Sequence, residues 1–504
     1  MIIIQKYKNY IEKRSKLVLL ILLGLNFIIR LLIYFNTNLI YFSDYKSYLK
    51  GIEIINDHGT ISLINGNFLF FNSYIGYFFK YILGSLDYYF IFNCLLGTLT
   101  SYIVYLICLK LTKNKLVGLL SVFLHTIYLE FMVFSSIFYT PIIMMFLLSL
   151  IILLLIHYFN ASRYRKVLII IALLFLINIS FYFKGELKYL WVLLLIIGLI
   201  NFRDKKTLIG FLLLGVLLTF STRILGYYHI LPYKKGHVGN NNFVFFGHTD
   251  YGGDGGDGAF IYKENEERYN KAFFEYCKKH NINAPSRIDK NNFQSEEVRK
   301  FIKNHPFKWI NLQFYKFFRF FGVVPESNSY KVLVTGILQG HKKITAIALV
   351  LPFSLMVLLF VITINPDLLK ERLARPELLF MGFLLLYYIV ASVFYGQYQE
   401  RYRMPVLVCF LIPLLSWSLI KFNLKELMDN KMILFFKAGV IILILGIWFS
   451  QIYQTLVVNK ERYLRTLKMI QYRSGVDNSF FKNTKQIKNL LISNGIKKIK
   501  GGMT

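Results

Sequence analysis

The chain has 504 residues, of which 56% are apolar and only 17% are charged, and its formal net charge is +32. A soluble domain carries roughly a quarter charged residues, so the long apolar runs exclude a soluble nucleic-acid-binding protein, a disordered chain and a secreted disulfide scaffold. The excess of lysine and arginine is instead explained by a membrane, because cytoplasmic loops of membrane proteins are enriched in both residues.

Apolar runs recur along most of the chain, and a membrane-spanning helix needs about 20 such residues. They predict an all-α polytopic membrane protein with about eleven transmembrane helices. The predicted spans lie at 17–36, 86–109, 116–135, 138–159, 167–183, 189–202, 207–227, 343–364, 378–395, 404–420 and 432–452.

Clusters of lysine and arginine follow every second predicted span, at 110–115, 163–166, 203–206, 370–375 and 421–431. The positive-inside rule assigns these connections to the cytoplasm. The pattern therefore predicts a multi-pass membrane protein, surrounded by membrane lipids, with a cytoplasmic N-terminus and an extracytoplasmic C-terminus.

Two long outer loops divide the chain into four predicted parts. These are an N-terminal transmembrane module over 1–227 that contains a first outer loop at 37–85, an extracytoplasmic loop domain over 228–342, a C-terminal transmembrane module over 343–452 and a basic extracytoplasmic tail over 453–504. Apolar residues in the later part of the loop domain have helical spacing, and Pro306 interrupts them. This interruption predicts two helices.

Asp44 is the first candidate for chemistry, because it lies just beyond the first span. A carboxylate there can act as a general base towards a hydroxyl or amine, or hold a divalent cation. The alternative interpretation is that Asp44 caps the helix predicted over 45–55.

Charged side chains at other outer ends form a second group of candidates. Arg401 and Arg403 have the fork geometry that matches phosphate oxygens, although interfacial anchoring beside Tyr402 is an alternative. Lys184 and Glu186, in the connection after the fifth span, are either a further phosphate contact or a solvated turn.

Glu130 lies near the outer end of the third span, and an acid so close to lipid usually faces the bundle interior. It is either a second functional acid or an interfacial residue. Asp250, Asp254 and Asp257 lie among glycines, but their spacing does not match an EF-hand, so a flexible loop that covers a cavity is favoured over a calcium site. The sequence has no P-loop and no GxGxxG motif, which argues against an ATP-driven pump.

The order of these elements resembles that of the polytopic GT-C glycosyltransferases, in particular the bacterial family-39 group related to protein O-mannosyltransferases and lipid A aminoarabinose transferases. The resemblance covers residues 17–420 in outline. It rests on Asp44 in a long first outer loop, on a large outer loop that ends in EEVRKFIKNHPFKWINLQFYKFFRFFG, and on a late ERYRMP before a span.

The resemblance implies a GT-C-like fold in a bacterial-type plasma membrane and an inverting enzyme that moves a sugar from a polyprenyl-phosphate donor to an extracytoplasmic glycan, lipid or protein acceptor. The roles it implies are Asp44 as base, Arg401 and Arg403 as donor-phosphate contacts, and Tyr48 and Tyr402 as substrate-pocket residues. The positions of the other outer charged residues add Glu130 as a further catalytic acid, Lys184 as a further donor-phosphate contact and Glu186 as a further pocket residue. In the family an acidic pair begins the first-loop motif. Here Tyr45 stands where the second acid often is, which argues against a bound divalent cation, and no cofactor is assigned.

Three other classes of protein stay open. An O-antigen-type polymerase or ligase also has many spans and a large outer loop, but it would not explain Asp44. A lipid-linked sugar transporter or flippase predicts broken helices and polar residues in mid-span. A non-catalytic scaffold for envelope assembly would fit the loss of the second acid.

Overall fold

The computed structural model describes part of the chain, and all statements about structure refer to that part. The described residues are 13–36, 44–59, 71–159, 161–183, 213, 242–252, 263–320, 341–364, 376–390, 403–422 and 431–453. Within them the regular structure is helical, and no strand occurs.

Sixteen helices are numbered here in chain order among the described residues. They are α1 (Ser15–Phe35), α2 (Asp44–His58), α3 (Phe71–Tyr77), α4 (Asp87–Thr112), α5 (Lys115–Ile127), α6 (Leu129–Val133), α7 (Pro141–Phe159), α8 (Arg163–Phe183), α9 (Asn242–His248), α10 (Lys263–Lys279), α11 (Arg287–Asn304), α12 (Pro306–Phe320), α13 (Lys342–Thr363), α14 (Pro376–Ile389), α15 (Arg403–Lys421) and α16 (Lys431–Tyr453).

The protein is an all-α membrane protein. Five of the described helices (α1, α4, α7, α15 and most of α16) are long and apolar enough to cross a membrane, and the pair α5–α6 brings the number to six if it forms one span. The sequence predicts about eleven spans. Two of these, at 189–202 and 207–227, lie outside the described residues except for residue 213.

The interior of the bundle is formed by α4, α7 and α15, in which 61–72% of the most apolar stretch is buried, against 22% for α1 and 11% for α16. Helix α7 is apolar on all sides, as expected for a helix surrounded by others. The exposed apolar faces of α1 and α16 are those expected to contact lipid.

A tight turn joins α4 to α5 and has a local cause in the sequence. Lys113 ends α4 in the left-handed region, with φ of 55°. The Asn114 side chain then caps α5, because its Oδ1 accepts a hydrogen bond from Leu116 N at 2.8 Å. Asparagine is among the preferred residues for this capping position.

The predicted third span, 116–135, is not a straight helix. It is broken at Tyr128 into α5 and a shorter part that ends in a 3-10 turn at Phe134–Ser136, and the two parts are bent by 68°. The Tyr128 backbone leaves the helical region, with φ of −80° and ψ of 87°. The bend turns α6 across the end of the bundle.

A small aromatic core lies between α9, α10 and α11, in the segment that the sequence predicts to be the extracytoplasmic loop domain. Its buried members are Phe245, Tyr251, Tyr269 and Phe293. The prediction of two helices around Pro306 is confirmed, since α11 ends at Asn304 and Pro306 begins α12. Proline is favoured at a first helical position, where its missing N–H costs nothing.

Candidate functional site

Several helix ends meet at one end of the bundle, which we call the polar end and define by Tyr34, Asp87, Glu130 and Arg403. Tyr34, in the last turn of α1, donates a hydrogen bond to Asp87 at the start of α4. Glu130 in α6 likewise meets Arg403 at the start of α15. Neighbouring spans therefore run in opposite directions. The sequence predicts that this end faces away from the cytoplasm.

A buried ion pair joins α6 to α15 at the polar end. Arg403 Nη2 donates to Glu130 Oε2 at 2.9 Å, and the Tyr128 hydroxyl donates to the same oxygen at 2.6 Å. Glu130 is 2% exposed and Arg403 is 5% exposed. Glu130 Oε1 is also buried and accepts no hydrogen bond from a described residue, so this oxygen has acceptor capacity left.

The burial of Arg403 argues against its alternative role as an interfacial anchor. Its guanidinium lies over the Phe353 ring, with Cζ 4.5 Å from the ring centroid, and points to Glu130. An interfacial anchor would instead extend towards lipid headgroups. Arg403 therefore belongs to the interior of the bundle.

A second buried arginine lies in α1 close to the same segment. Arg30 donates to Asn26 Oδ1 at 3.0 Å, to the Phe131 carbonyl at 3.1 Å and to Ser135 Oγ. Its Cζ is 4.0 Å from the centroid of the Phe131 ring, and Gly97 in α4 leaves the space that its guanidinium occupies. Arg30 makes no ion pair with any described residue.

Sequence reasoning did not single out Arg30. The available signal was an arginine inside an otherwise apolar span, which is costly and therefore a functional candidate. Tyr128 was missed as well, because an isolated tyrosine near a membrane boundary is common.

Deeper polar contacts continue from the polar end into the bundle. His125 lies between Ser101 Oγ and the Val408 carbonyl, at 3.1 Å from each. Asn26 Nδ2 donates to Thr126 Oγ1 at 3.1 Å. These bonds connect α1, α4, α5 and α15, so they fix the relative positions of the helices that carry Arg30, Glu130 and Arg403.

Helix α2, which belongs to the predicted first outer loop, packs against the polar end. Tyr48 in α2 is buried, and its ring makes edge-on contacts with Phe138 and Tyr139, at centroid distances of 5.9 and 6.3 Å. Its carbonyl accepts a hydrogen bond from Ser73 Oγ at 3.0 Å. Asp44 is the first residue of the same helix, one turn before Tyr48.

The structure thus brings Glu130, Arg403 and Tyr48 to one end of the bundle. The backbone of Asp44 is described, whereas its side chain lies outside the described part. The other predicted site residues also lie outside it: Lys184, Glu186, Arg401 and Tyr402.

In the described part of the chain, no group of three or more histidine, cysteine or acidic residues converges to form a possible metal site. Asp250, considered as a calcium ligand, forms a two-pronged ion pair with Arg268 at 2.9 and 3.1 Å. This pairing neutralises the carboxylate. Asp254 and Asp257 lie outside the described residues.

Among the described residues, the buried charges at the polar end are two arginines and one carboxylate. Glu130 neutralises Arg403, whereas the partners of Arg30 within the described part of the chain are neutral acceptors and an aromatic ring. Such a site favours an additional anion, because a buried charge without a counter-charge is costly. A phosphate group is one anion that arginine forks recognise.

No protein-family model matches the chain, and a comparison with curated proteins finds no significant match.

Proposed function

We propose that the protein is a membrane glycosyltransferase that moves a sugar from a polyprenyl-phosphate donor to an extracytoplasmic acceptor. The observation that carries the proposal is the buried Glu130–Arg403 pair at the polar end of the bundle. An acid at the start of the first-loop helix and cations at the outer end of the bundle are the groups that such a transfer needs.

The proposed reaction is a single inverting displacement. The Asp44 carboxylate takes the proton of the acceptor hydroxyl, and the oxygen forms a bond to the anomeric carbon. The bond from that carbon to the phosphate oxygen breaks, and polyprenyl phosphate leaves with the electron pair. Cationic groups stabilise the leaving phosphate, because they are aimed at the charge that develops in the transition state. Arg401 and Lys184 are the proposed direct contacts.

Arg403 has a more specific role in this proposal than the sequence assigns to it. Its Nη2 is engaged by Glu130 at 2.9 Å, so in this proposal the pair holds in place the start of α15, the helix that follows Arg401 in the chain. Glu130 contributes its second oxygen, Oε1, as an acceptor for a sugar or acceptor hydroxyl. The acid of α6 and the arginine of α15 therefore act together.

The break at Tyr128 is the observation that favours a second candidate, a lipid-linked sugar transporter. Transporters use broken helices, but their breaks and substrate sites lie near the middle of the bilayer. Here the break comes after the thirteen residues of α5, and α6 has only five residues at the polar end. A break at the end of a span fits a site that opens to the membrane surface, as glycosyl transfer requires.

The test is release of polyprenyl phosphate from polyprenyl-phosphate mannose by the purified protein in proteoliposomes, with a bacterial membrane extract as the source of acceptor. Asp44→Asn should lower the rate about 10²–10⁴-fold, the typical contribution of a general base. Asp57→Asn, at the exposed end of the same helix, is the matched control and should retain full activity.

Full activity of Asp44→Asn would exclude the proposed base. Movement of the intact donor across the bilayer, with no release of polyprenyl phosphate by the unmodified protein, would replace the transferase by the transporter.

A further inference from the structure

Helix α12 directs Trp309, Gln313 and Lys316 towards α9. Trp309 Nε1 donates to His248 Nδ1 at 3.0 Å, and the Gly247 carbonyl accepts from Lys316 Nζ at 2.8 Å and from Gln313 Nε2 at 3.4 Å. Gln313 and Lys316 are 5% and 0% exposed. The buried face of this helix is thus the one that pairs with α9 through polar groups.

The opposite face of α12 exposes three apolar side chains, next to the exposed Lys308 and Asn311. Phe307, Ile310 and Phe314 follow one another at helical spacing and are 84%, 41% and 56% exposed. Helices of water-soluble domains show the reverse arrangement, with the apolar stripe inside. An apolar stripe directed outwards needs another apolar medium to cover it.

The position of α12 in the chain and in the fold indicates that medium. Phe317, near its C-terminal end, packs against the main core of the membrane bundle. After Phe320 the chain leads to α13, an apolar helix of the bundle that begins at Lys342. The apolar stripe of α12 is therefore continuous with a bundle whose outer helices present apolar faces to lipid.

Charge on the flanks of the stripe is complementary to a phospholipid surface. Lys303, in the last turn of α11, and Lys308, on the edge of the exposed face of α12, are both exposed. Lysines at the edge of an amphipathic helix extend towards headgroup phosphates while their methylene stems cover apolar surface.

We propose that α12 lies along the surface of the bilayer, with Phe307, Ile310 and Phe314 inserted at the boundary between headgroups and acyl chains. The partner of this surface is the phospholipid bilayer and not a second protein chain. Three side chains on one helix form a patch smaller than the roughly 800 Å² that each partner contributes to a stable protein interface. The inference does not depend on the proposed glycosyl transfer.

The experiment uses the full-length protein in nanodiscs that hold one copy each, with a nitroxide spin label on a single introduced cysteine. The four native cysteines are buried, and the protein without an introduced cysteine gives the background signal. Labels at Phe307→Cys and Phe314→Cys report the environment of the apolar stripe. Phe274→Cys is the matched control, because Phe274 is 70% exposed on α10 of the same domain and has exposed Lys271, Glu275 and Lys278 around it.

Power saturation then compares collision of each label with oxygen, which partitions into lipid, and with a water-soluble nickel chelate. For the labels at positions 307 and 314 the ratio of oxygen to nickel accessibility should be several-fold higher than for the label at position 274. Equal ratios at the three positions would overturn the proposal. Low accessibility to both reagents at 307 and 314 would also overturn it, because it would indicate cover by protein. Circular dichroism and thermal midpoints equal to those of the unmodified protein would exclude misfolding as the cause.

Discussion

Arg403 Nη2 lies 2.9 Å from Glu130 Oε2, although the two residues are 273 positions apart in the chain. The pair joins a short helix that crosses the end of the bundle to the first residue of a span. Because neither side chain reaches water, the position of each depends on the other. Glu130 and Arg403, which the sequence suggests as separate candidates, therefore form one structural unit.

Removal of either member of this pair should destabilise the protein more than removal of an exposed charged side chain. Arg403→Met leaves the Glu130 carboxylate buried without a cation, and such changes cost about 3–5 kcal/mol. Glu130→Gln should be destabilising for the converse reason. In the double variant the loss should be smaller than the sum of the single losses, because no lone charge is left. An SDS titration of the free energy of unfolding in mixed micelles measures all three.

Arg165→Met is the control for this cycle, because Arg165 is exposed at the start of α8. It should change the free energy of unfolding by less than about 0.5 kcal/mol. Strict additivity of the Arg403 and Glu130 losses would mean that the two side chains do not interact in the folded protein.

Gly97 of α4 should be difficult to replace, because the Arg30 guanidinium occupies the space beside it. A methyl group at Gly97 would lie 2.5 Å from Arg30 Cζ, which is too close for any contact between heavy atoms, whereas a methyl group at Gly24 meets nothing within 4 Å. Gly97→Ala should therefore cost about 1–3 kcal/mol through overpacking, and Gly24→Ala should be neutral or stabilising. The same micellar titration compares the two, and equal behaviour would show that Arg30 is free to move away.

The role proposed for Arg401 predicts that its removal weakens binding of the donor more than binding of the acceptor. Arg401→Ala should raise the KM for polyprenyl-phosphate mannose more than that for the acceptor, because the guanidinium is expected to bind the donor phosphate. Lys421→Ala, at the opposite end of α15, removes a cation from the same helix and should leave both values unchanged. Equal increases for donor and acceptor after Arg401→Ala would indicate that the arginine only anchors its loop.

The sequence predicts helix boundaries well where a single residue marks the start or the end of a helix. Pro306 separates α11 from α12, and α2 begins at Asp44, just before the predicted 45–55 helix. Both follow from short-range chemistry, since proline lacks the N–H of a helix interior and aspartate favours a helix start. The apolar runs likewise predict the class of the protein, because about 20 such residues match the thickness of a bilayer.

The site itself depends on contacts between distant residues, and single-sequence patterns do not contain these. Nothing close to Glu130 in the chain indicates that Arg403 is its partner, and the bend at Tyr128 is not marked by proline or glycine. Arg30 interrupts an apolar run, but its neighbours Asn26 and Ser135 are revealed only by packing. Hydrophobic periodicity therefore predicts which segments enter the membrane, while the polar contacts that position the candidate site require the fold.

Lys316 predicts a pH dependence of the stability of the loop domain. Burial against α9 lowers the pKa of its ammonium group from 10.5 to about 7. Between these two values the unfolded chain binds a proton that the folded chain does not, so stability should rise with pH from about 7 to 10.5 and should level off on either side. For one proton the slope approaches about 1.4 kcal/mol per pH unit.

Hydrogen exchange of the α9 and α12 amides, corrected for the intrinsic effect of pH, measures the opening free energy of this region. Lys316→Met should remove the slope between pH 7 and 10, while Gln313 still donates to the Gly247 carbonyl. Lys278→Met, at an exposed position of α10, should retain it. If the unmodified protein and Lys316→Met change equally with pH, the lysine is protonated in the folded domain and its burial does not control the stability.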